Sequence, residues 1–160
     1  MLGNVDKPAL AGLWPNKRGM NVVLDLGANI ECTYKNLIDF SNMGSALFKA
    51  LYPYSQINVG LLNVGLEENK GHETIKKAYN FLKENQNPAY NFYGYIEGNH
   101  IMDGDVNIIV TDGFTGNIAL KTAEGTANFL VQKLKKIFTQ SFVSKISALL
   151  SAGALKKFQK

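Results

Sequence analysis

Long apolar runs are missing from this 160-residue sequence, which nowhere approaches the roughly 18 consecutive apolar residues that a bilayer-spanning helix requires. Met1 to Leu10 also lacks a basic stretch followed by an apolar core, so no secretory signal is expected. Cys32 is the single cysteine and cannot close an intramolecular disulfide, which makes the cytoplasm the expected compartment. The two histidines, His72 and His100, fall in different loops with no cysteine or carboxylate at ligand spacing; this argues against a metal site and leaves surface positions as the reading for both. Neither the Gly-x-x-x-x-Gly-Lys-Ser/Thr phosphate loop nor the Gly-x-Gly-x-x-Gly dinucleotide fingerprint occurs, so nucleoside triphosphates and NAD have no support. Low-complexity segments, internal repeats and linker-like stretches are absent as well.

What is present is the composition of one soluble domain, with 46% hydrophobic and 19% charged residues. The net charge of +4 conceals an asymmetry. Residues 1–120 carry nine Lys/Arg against twelve Asp/Glu, whereas residues 121–160 carry eight Lys against Glu124 alone. Strand-like segments alternate with amphipathic helical ones, which reads as an α/β fold with a mostly parallel sheet and flanking helices. The spacing predicts strands at 21–26, 57–63, 91–96 and 106–111. It predicts a helix after Thr33, its candidate cap, carrying Leu37, Phe40, Leu47 and Leu51, and a second helix over 73–84. From Ile118 a long helical pattern continues almost to the end. The chain therefore reads as a single partial domain, with sheet and loops over 1–117 and a long helix plus a basic amphipathic segment over 118–160.

Ligands of open α/β sheets bind beyond the carboxyl ends of the strands, near helix N-termini. Four loops there carry unusual residues: Asp25-Leu26-Gly27-Ala28-Asn29, Asn63 to Gly71, Glu97-Gly98-Asn99-His100, and Asp112-Gly113-Phe114-Thr115-Gly116-Asn117. The glycines of the last loop would let backbone amides approach a phosphate at a helix N-terminus, or they simply make a tight turn. Lys70 precedes a helix, where the dipole disfavours a cation unless an anion offsets it; a solvated surface lysine is the alternative. Cys32 follows the first loop but has no histidine base at any local spacing, so it reads as an ordinary thiol.

Several runs resemble PlsX-type phosphate acyltransferases. They are Lys7-Pro8-Ala9-Leu10-Ala11, Val23 to Asn29, Met43-Gly44-Ser45-Ala46, Val59 to Gly65 with Glu67, Glu68, Lys70 and Gly71, Phe92-x-Gly94-x-Ile96-Glu97, and Thr111 to Asn117 followed by Leu120-Lys121-Thr122 and Glu124-Gly125. They occur in the family's order and cover nearly the whole chain. Leu66 and Asn99-His100 depart from the common pattern. The family's N-terminal Asp-Ala-Met-Gly-Gly-Asp type motif and its closing sheet and helix are missing, so the chain is expected to be truncated at both ends.

The resemblance implies a fold shared with isopropylmalate dehydrogenase and phosphotransacetylase, and transfer of an acyl group from acyl carrier protein to inorganic phosphate without a cofactor or metal. It implies a homodimer that hands its product to a membrane glycerol-3-phosphate acyltransferase at an anionic membrane surface, with no nucleic-acid partner. On that chemistry the expected catalytic residues are Lys70, Asp112, Asn117 and Lys121. Amides near Gly113 and Gly116 would hold phosphate, with Asp25, Gly27, Asn29, Gly65, Glu67, Gly71 and Glu97 completing or positioning the site. Phe142, Ile146, Leu149, Leu150, Lys156 and Lys157 are the expected membrane contacts on the inner face of the cell membrane. A catalytically inactive fragment and phosphotransacetylase-like exchange with coenzyme A are the competing expectations.

Overall fold

The computed structural model describes residues 6–140. Its first two strands, β1 (Ala11–Asn16) and β2 (Gly19–Leu24), form an antiparallel hairpin across the two-residue turn Lys17-Arg18, with Ala11 opposite Leu24 and Asn16 opposite Gly19. The sequence does not announce β1, because Gly12 and Pro15 are poor strand residues; proline is tolerated there because β1 lies at the edge of the sheet. β2 ends at Leu24, two residues before the predicted end; the Asp25 amide still donates to Thr111 O at 3.0 Å, and its side chain then accepts from the Gly27 and Ala28 amides of the turn that follows.

Helix α1 (Tyr34–Leu51) starts where expected. Thr33 Oγ1 accepts from the Asn36 amide and Asn36 Oδ1 accepts from the Thr33 amide, closing a capping box. Strand β3 (Asn58–Asn63), helix α2 (Glu73–Glu84), strand β4 (Asn91–Glu97) and the short strand β5 (Ile108–Val110) follow. The sheet order is β1-β2-β5-β3-β4, and every pairing except β1 with β2 is parallel. β4 is thus an edge strand, and it carries a bulge: Val59 pairs with Phe92 and Gly60 with Gly94, leaving Tyr93 unpaired and exposed. Gly94 adopts φ +113°, open to glycine without strain. The bulge puts Phe92 and Tyr95 on one face, where both rings pack on Tyr79 of α2 at 5.4 and 4.4 Å.

Both α1 and α2 cover one face of the sheet. Val22, Leu24, Val59, Leu61, Ile108 and Val110 meet Leu37, Phe40, Phe48, Ile75, Ala78 and Leu82 there, all buried, and each large side chain contributes about 1.5–3 kcal/mol of burial. Alternation turns Val23 and Ile109 to the opposite face, where Ile96 and Val106 close over Gly60.

Helix α3 (Gly113–Thr139) begins at Gly113, five residues earlier than the predicted Ile118, so the Gly-Phe-Thr-Gly run is the first turn of a helix and not a loop before it. The described residues divide into two units, one up to Leu120 and one from Lys121 onward. In the described part of the second unit the α3 side chains Phe129, Leu130, Val131, Leu134 and Ile137 are exposed. No helix among the described residues is long and apolar enough to cross a membrane. The expected membrane contacts Phe142, Ile146, Leu149, Leu150, Lys156 and Lys157 lie outside the described residues.

Candidate functional site

At the carboxyl end of β2, the Asp25 carboxylate is buried and accepts five hydrogen bonds. Leu10 N, Gly27 N and Ala28 N donate to Oδ1 at 3.0, 3.2 and 3.0 Å, and Asn29 N and Nδ2 donate to Oδ2 at 2.6 and 2.7 Å. Burial alone would raise its pKa, but the bonds from Ala28, Leu10 and Asn29 outweigh that and hold the carboxyl below its ordinary value. Asp25 and Asn29 therefore organise the loop from within. Asn29 passes the order on: its Nδ2 also donates to the Pro8 carbonyl, and its own carbonyl accepts from the Gly113 amide at 2.8 Å.

This last bond redirects the expectation for Gly113 and Gly116. Gly113 N is bonded to Asn29 O, Gly116 N to Asp112 O at 2.9 Å, and Thr115 N to Asp112 Oδ1 at 2.8 Å, so none of the three amides is open to a phosphate. Asp112 serves as the N-cap of α3, its second oxygen accepting from Thr115 Oγ1 at 2.9 Å. The two glycines are there for close approach: a Cβ on Gly113 would lie 2.6 Å from Asn29 O, and one on Gly116 would collide with the Asp25 carbonyl. Asn117 is exposed and stands over Gly27, 3.5 Å from where a Cβ would be.

The start of α2 is different. His72 at its N-cap makes no side-chain cap bond, and its carbonyl takes the Ile75 and Lys76 amides at 3.1 and 3.2 Å, which leaves the first-turn amides of Glu73 and Thr74 without a cap. Asn63 at the end of β3 holds the preceding loop by donating to Gly65 O at 3.1 Å and Lys70 O at 3.2 Å, and its side chain touches Gly71, which needs φ +86°. Glu67 folds over Gly65. Lys70 is exposed and makes no salt bridge among the described residues. Glu97 pairs in register with Asn63 at the end of β4. Lys121, in the second unit, is bound to Glu124 at 2.8 Å.

Two cavities open between the starts of α2 and α3. One of about 680 Å³ is lined by Cys32, His72, Thr74, Asp112, Phe114 and Thr115 among others. The second, about 320 Å³, shares His72, Asp112 and Thr115 and is otherwise largely apolar. Thr74 falls in no motif read from the sequence, His72 reads there only as a surface histidine, and Thr115 only as part of the Asp112 to Asn117 run; the place of His72 beside Lys70-Gly71 at a predicted helix start is the signal that points to this wall. Cys32 reaches the same cavity, but its thiol donates to Asn29 O at 3.5 Å. Burial, and secondarily the charges of Asp112 and Asp25, push its pKa up against the lowering contribution of the Gly113 amide. That is a poor setting for a nucleophilic thiolate.

Comparison with known proteins gives a consistent picture. A family described as fatty acid synthesis protein matches residues 1–160. The phosphate acyltransferase of Pelagibacter ubique is 64% identical over 159 residues, covering 99% of this chain and 48% of the relative. That of Rhodospirillum centenum is 48% identical over 158 residues, covering 99% and 44%. The chain thus spans about half the length of the curated relatives it matches. Among solved structures, the EutD phosphotransacetylase from Staphylococcus aureus superposes with a TM-score of 0.56 at 16% identity, over 79% of this chain and 44% of that one, which is a likeness of fold.

Proposed function

The chain belongs to the family described as fatty acid synthesis protein, alongside relatives named phosphate acyltransferase, and from that premise we propose that it contributes the site that forms acyl phosphate from an acyl carrier protein thioester and inorganic phosphate. A phosphate oxygen attacks the thioester carbonyl, the carbon–sulfur bond breaks, and the sulfur departs as a thiolate that is then protonated. The nucleophile is already an oxyanion, so the protein has to orient it and stabilise the tetrahedral transition state.

The observation that carries this reading is the uncapped N-terminus of α2 opening on a cavity walled by His72, Thr74 and Thr115. Its unengaged amides and the positive end of the helix dipole favour an anion. Lys70 lines neither cavity, its stem lying against Gly65, but it is exposed and no carboxylate claims it among the described residues; we assign it as the cation that reaches the phosphate from the preceding loop. Phosphate is therefore assigned to the start of α2 and not to the capped start of α3. Asp25, Asn29 and Asp112 fix the opposite wall. Direct attack fits better than a Cys32 acyl-enzyme, because the thiol pKa is raised. Acyl carrier protein as donor, a homodimer, and contact with an anionic membrane surface belong to the same proposal.

The test is incubation of the purified chain with palmitoyl-acyl carrier protein, labelled phosphate and hydroxylamine. Phosphate-dependent palmitoyl hydroxamate supports the proposal. Product from palmitoyl-coenzyme A but not from the carrier-protein thioester would replace it with coenzyme A exchange. No product from either, alongside an active full-length relative, would leave the chain an inactive part of the enzyme.

A further inference from the structure

The smaller cavity carries a second assignment. Leu62 and Ile75 form its buried floor, while Val64 and Ile118, 79% and 50% exposed, stand at its mouth with Ile101 and Ala119 between. Apolar side chains left exposed around a concavity are ready to gain from covering. The volume of about 320 Å³ falls at the lower end of the range for small-molecule sites. It shares the polar residues His72, Asp112 and Thr115 with the larger cavity, so the two adjoin there, and Asn63 is the one further polar side chain in its lining. The result is an amphiphilic slot: mostly apolar apart from Asn63, and polar where it adjoins the cavity at the start of α2.

We propose that this slot seats the carbonyl-proximal methylenes of the acyl group, with the carbonyl at the junction by Asp112 and Thr115 and the chain running toward Ile101 and Ile118. The assignment rests on the acyl-transfer reading and adds to it the place where the chain lies. It puts the thioester carbon at the boundary between an apolar slot and the anion-favouring start of α2, so that nucleophile and electrophile meet at His72. Binding strengthens about fourfold per added methylene while the slot fills, and then levels off.

Fluorescence of cis-parinaric acid on the purified chain measures occupancy without requiring turnover, and octanoate, decanoate and laurate compete for it. Cys32, the only cysteine, lines the adjoining cavity and reports independently through its rate of alkylation. Expected are saturable parinarate binding, competition that improves with chain length, slowed alkylation of Cys32 by laurate but not by acetate, and about tenfold weaker binding in Ile118→Glu. Leu13→Glu, on exposed β1, is the control and leaves binding unchanged. If Ile118→Glu loses its circular dichroism signature, Val64→Glu in the exposed loop replaces it. Binding weakened equally by Leu13→Glu would mean adsorption to general apolar surface and would overturn the slot. So would Cys32 protection that follows protein concentration in place of laurate, since the cleft would then be covered by a second copy. Parinarate binding without hydroxamate formation retains the slot and rejects the activity; hydroxamate formation with no effect of Ile118→Glu on binding or chain-length preference retains the activity and rejects the slot.

Discussion

Two alanine substitutions in one helix are expected to act in opposite directions. Gly116 and Gly125 both lie in α3, and neither needs a positive φ, so alanine is conformationally allowed at both and improves helix propensity by about 1 kcal/mol. Their surroundings differ. A Cβ on Gly125 meets nothing within 4 Å, whereas one on Gly116 collides with the Asp25 carbonyl and comes within 2.9 Å of Thr111 Cγ2. The Asp25 backbone cannot yield easily, because its amide donates to Thr111 O at 3.0 Å and its buried carboxylate holds the 25–29 loop. Overpacking against such a wall costs about 1–3 kcal/mol or more, which outweighs the propensity gain. Because the collision is with backbone, the cost lies at the upper end of that range, so Gly116→Ala is expected to destabilise by roughly 2 kcal/mol net, and Gly125→Ala to stabilise by up to about 1 kcal/mol. Urea unfolding followed by circular dichroism separates the two, and hydrogen exchange should place the loss in Gly116→Ala at residues 25–29 and the first turn of α3. A Gly116→Ala protein as stable as its parent, with unchanged exchange there, would refute the close approach of helix and loop.

The Asp25 carboxyl has its pKa lowered in the folded state, so its stabilising contribution is present above the unfolded value of about 4 and is lost as pH falls through the folded value; Asp25→Asn should flatten acid unfolding below about pH 4, measured by melts across a pH series. Because burial raises the Cys32 pKa, iodoacetamide should alkylate it more slowly at pH 8 than it does a free cysteine, and Cys32→Ser should leave acyl transfer near normal; loss of all turnover in that variant would restore the covalent route. Tyr95, whose hydroxyl is buried without a partner among the described residues and whose pKa burial pushes up to about 12, should stay protonated in an absorbance titration of the folded chain until that range, with Tyr95→Phe removing the late step. Lys70→Ala should raise the phosphate KM about tenfold or more, whereas Lys121→Ala, already paired with Glu124, should change it little.

Local patterning was enough to identify most of the framework. The β-branched run at Val22-Val23 and the apolar recurrence from Leu37 each fit one element type, so the order of the later strands and helices and the capping role of Thr33 are legible in advance; Leu47 and Leu51, expected on the packed stripe, stay exposed because nothing among the described residues covers the far side of α1 there. Helix α2 falls on its predicted bounds, Glu73 to Glu84. β1 could not be read, because a strand containing Gly12 and Pro15 exists only by pairing with β2 at a sheet edge. Nor could the Tyr93 bulge, which depends on register against β3. The same division holds at the site. Asp25, Asn29, Asp112, Gly113 and Gly116 stood out as residues of a functional loop, but spacing does not say which amides are engaged. That was decided when the Asn29 carbonyl met Gly113 N and Asp112 took the Thr115 and Gly116 amides, engaging three amides at the start of α3, while the Glu73 and Thr74 amides behind His72 stayed uncapped. A hydrogen-bond donor is available to a ligand only if no distant segment has taken it, and the packing that brings residues 29 and 113 together lies beyond any local pattern.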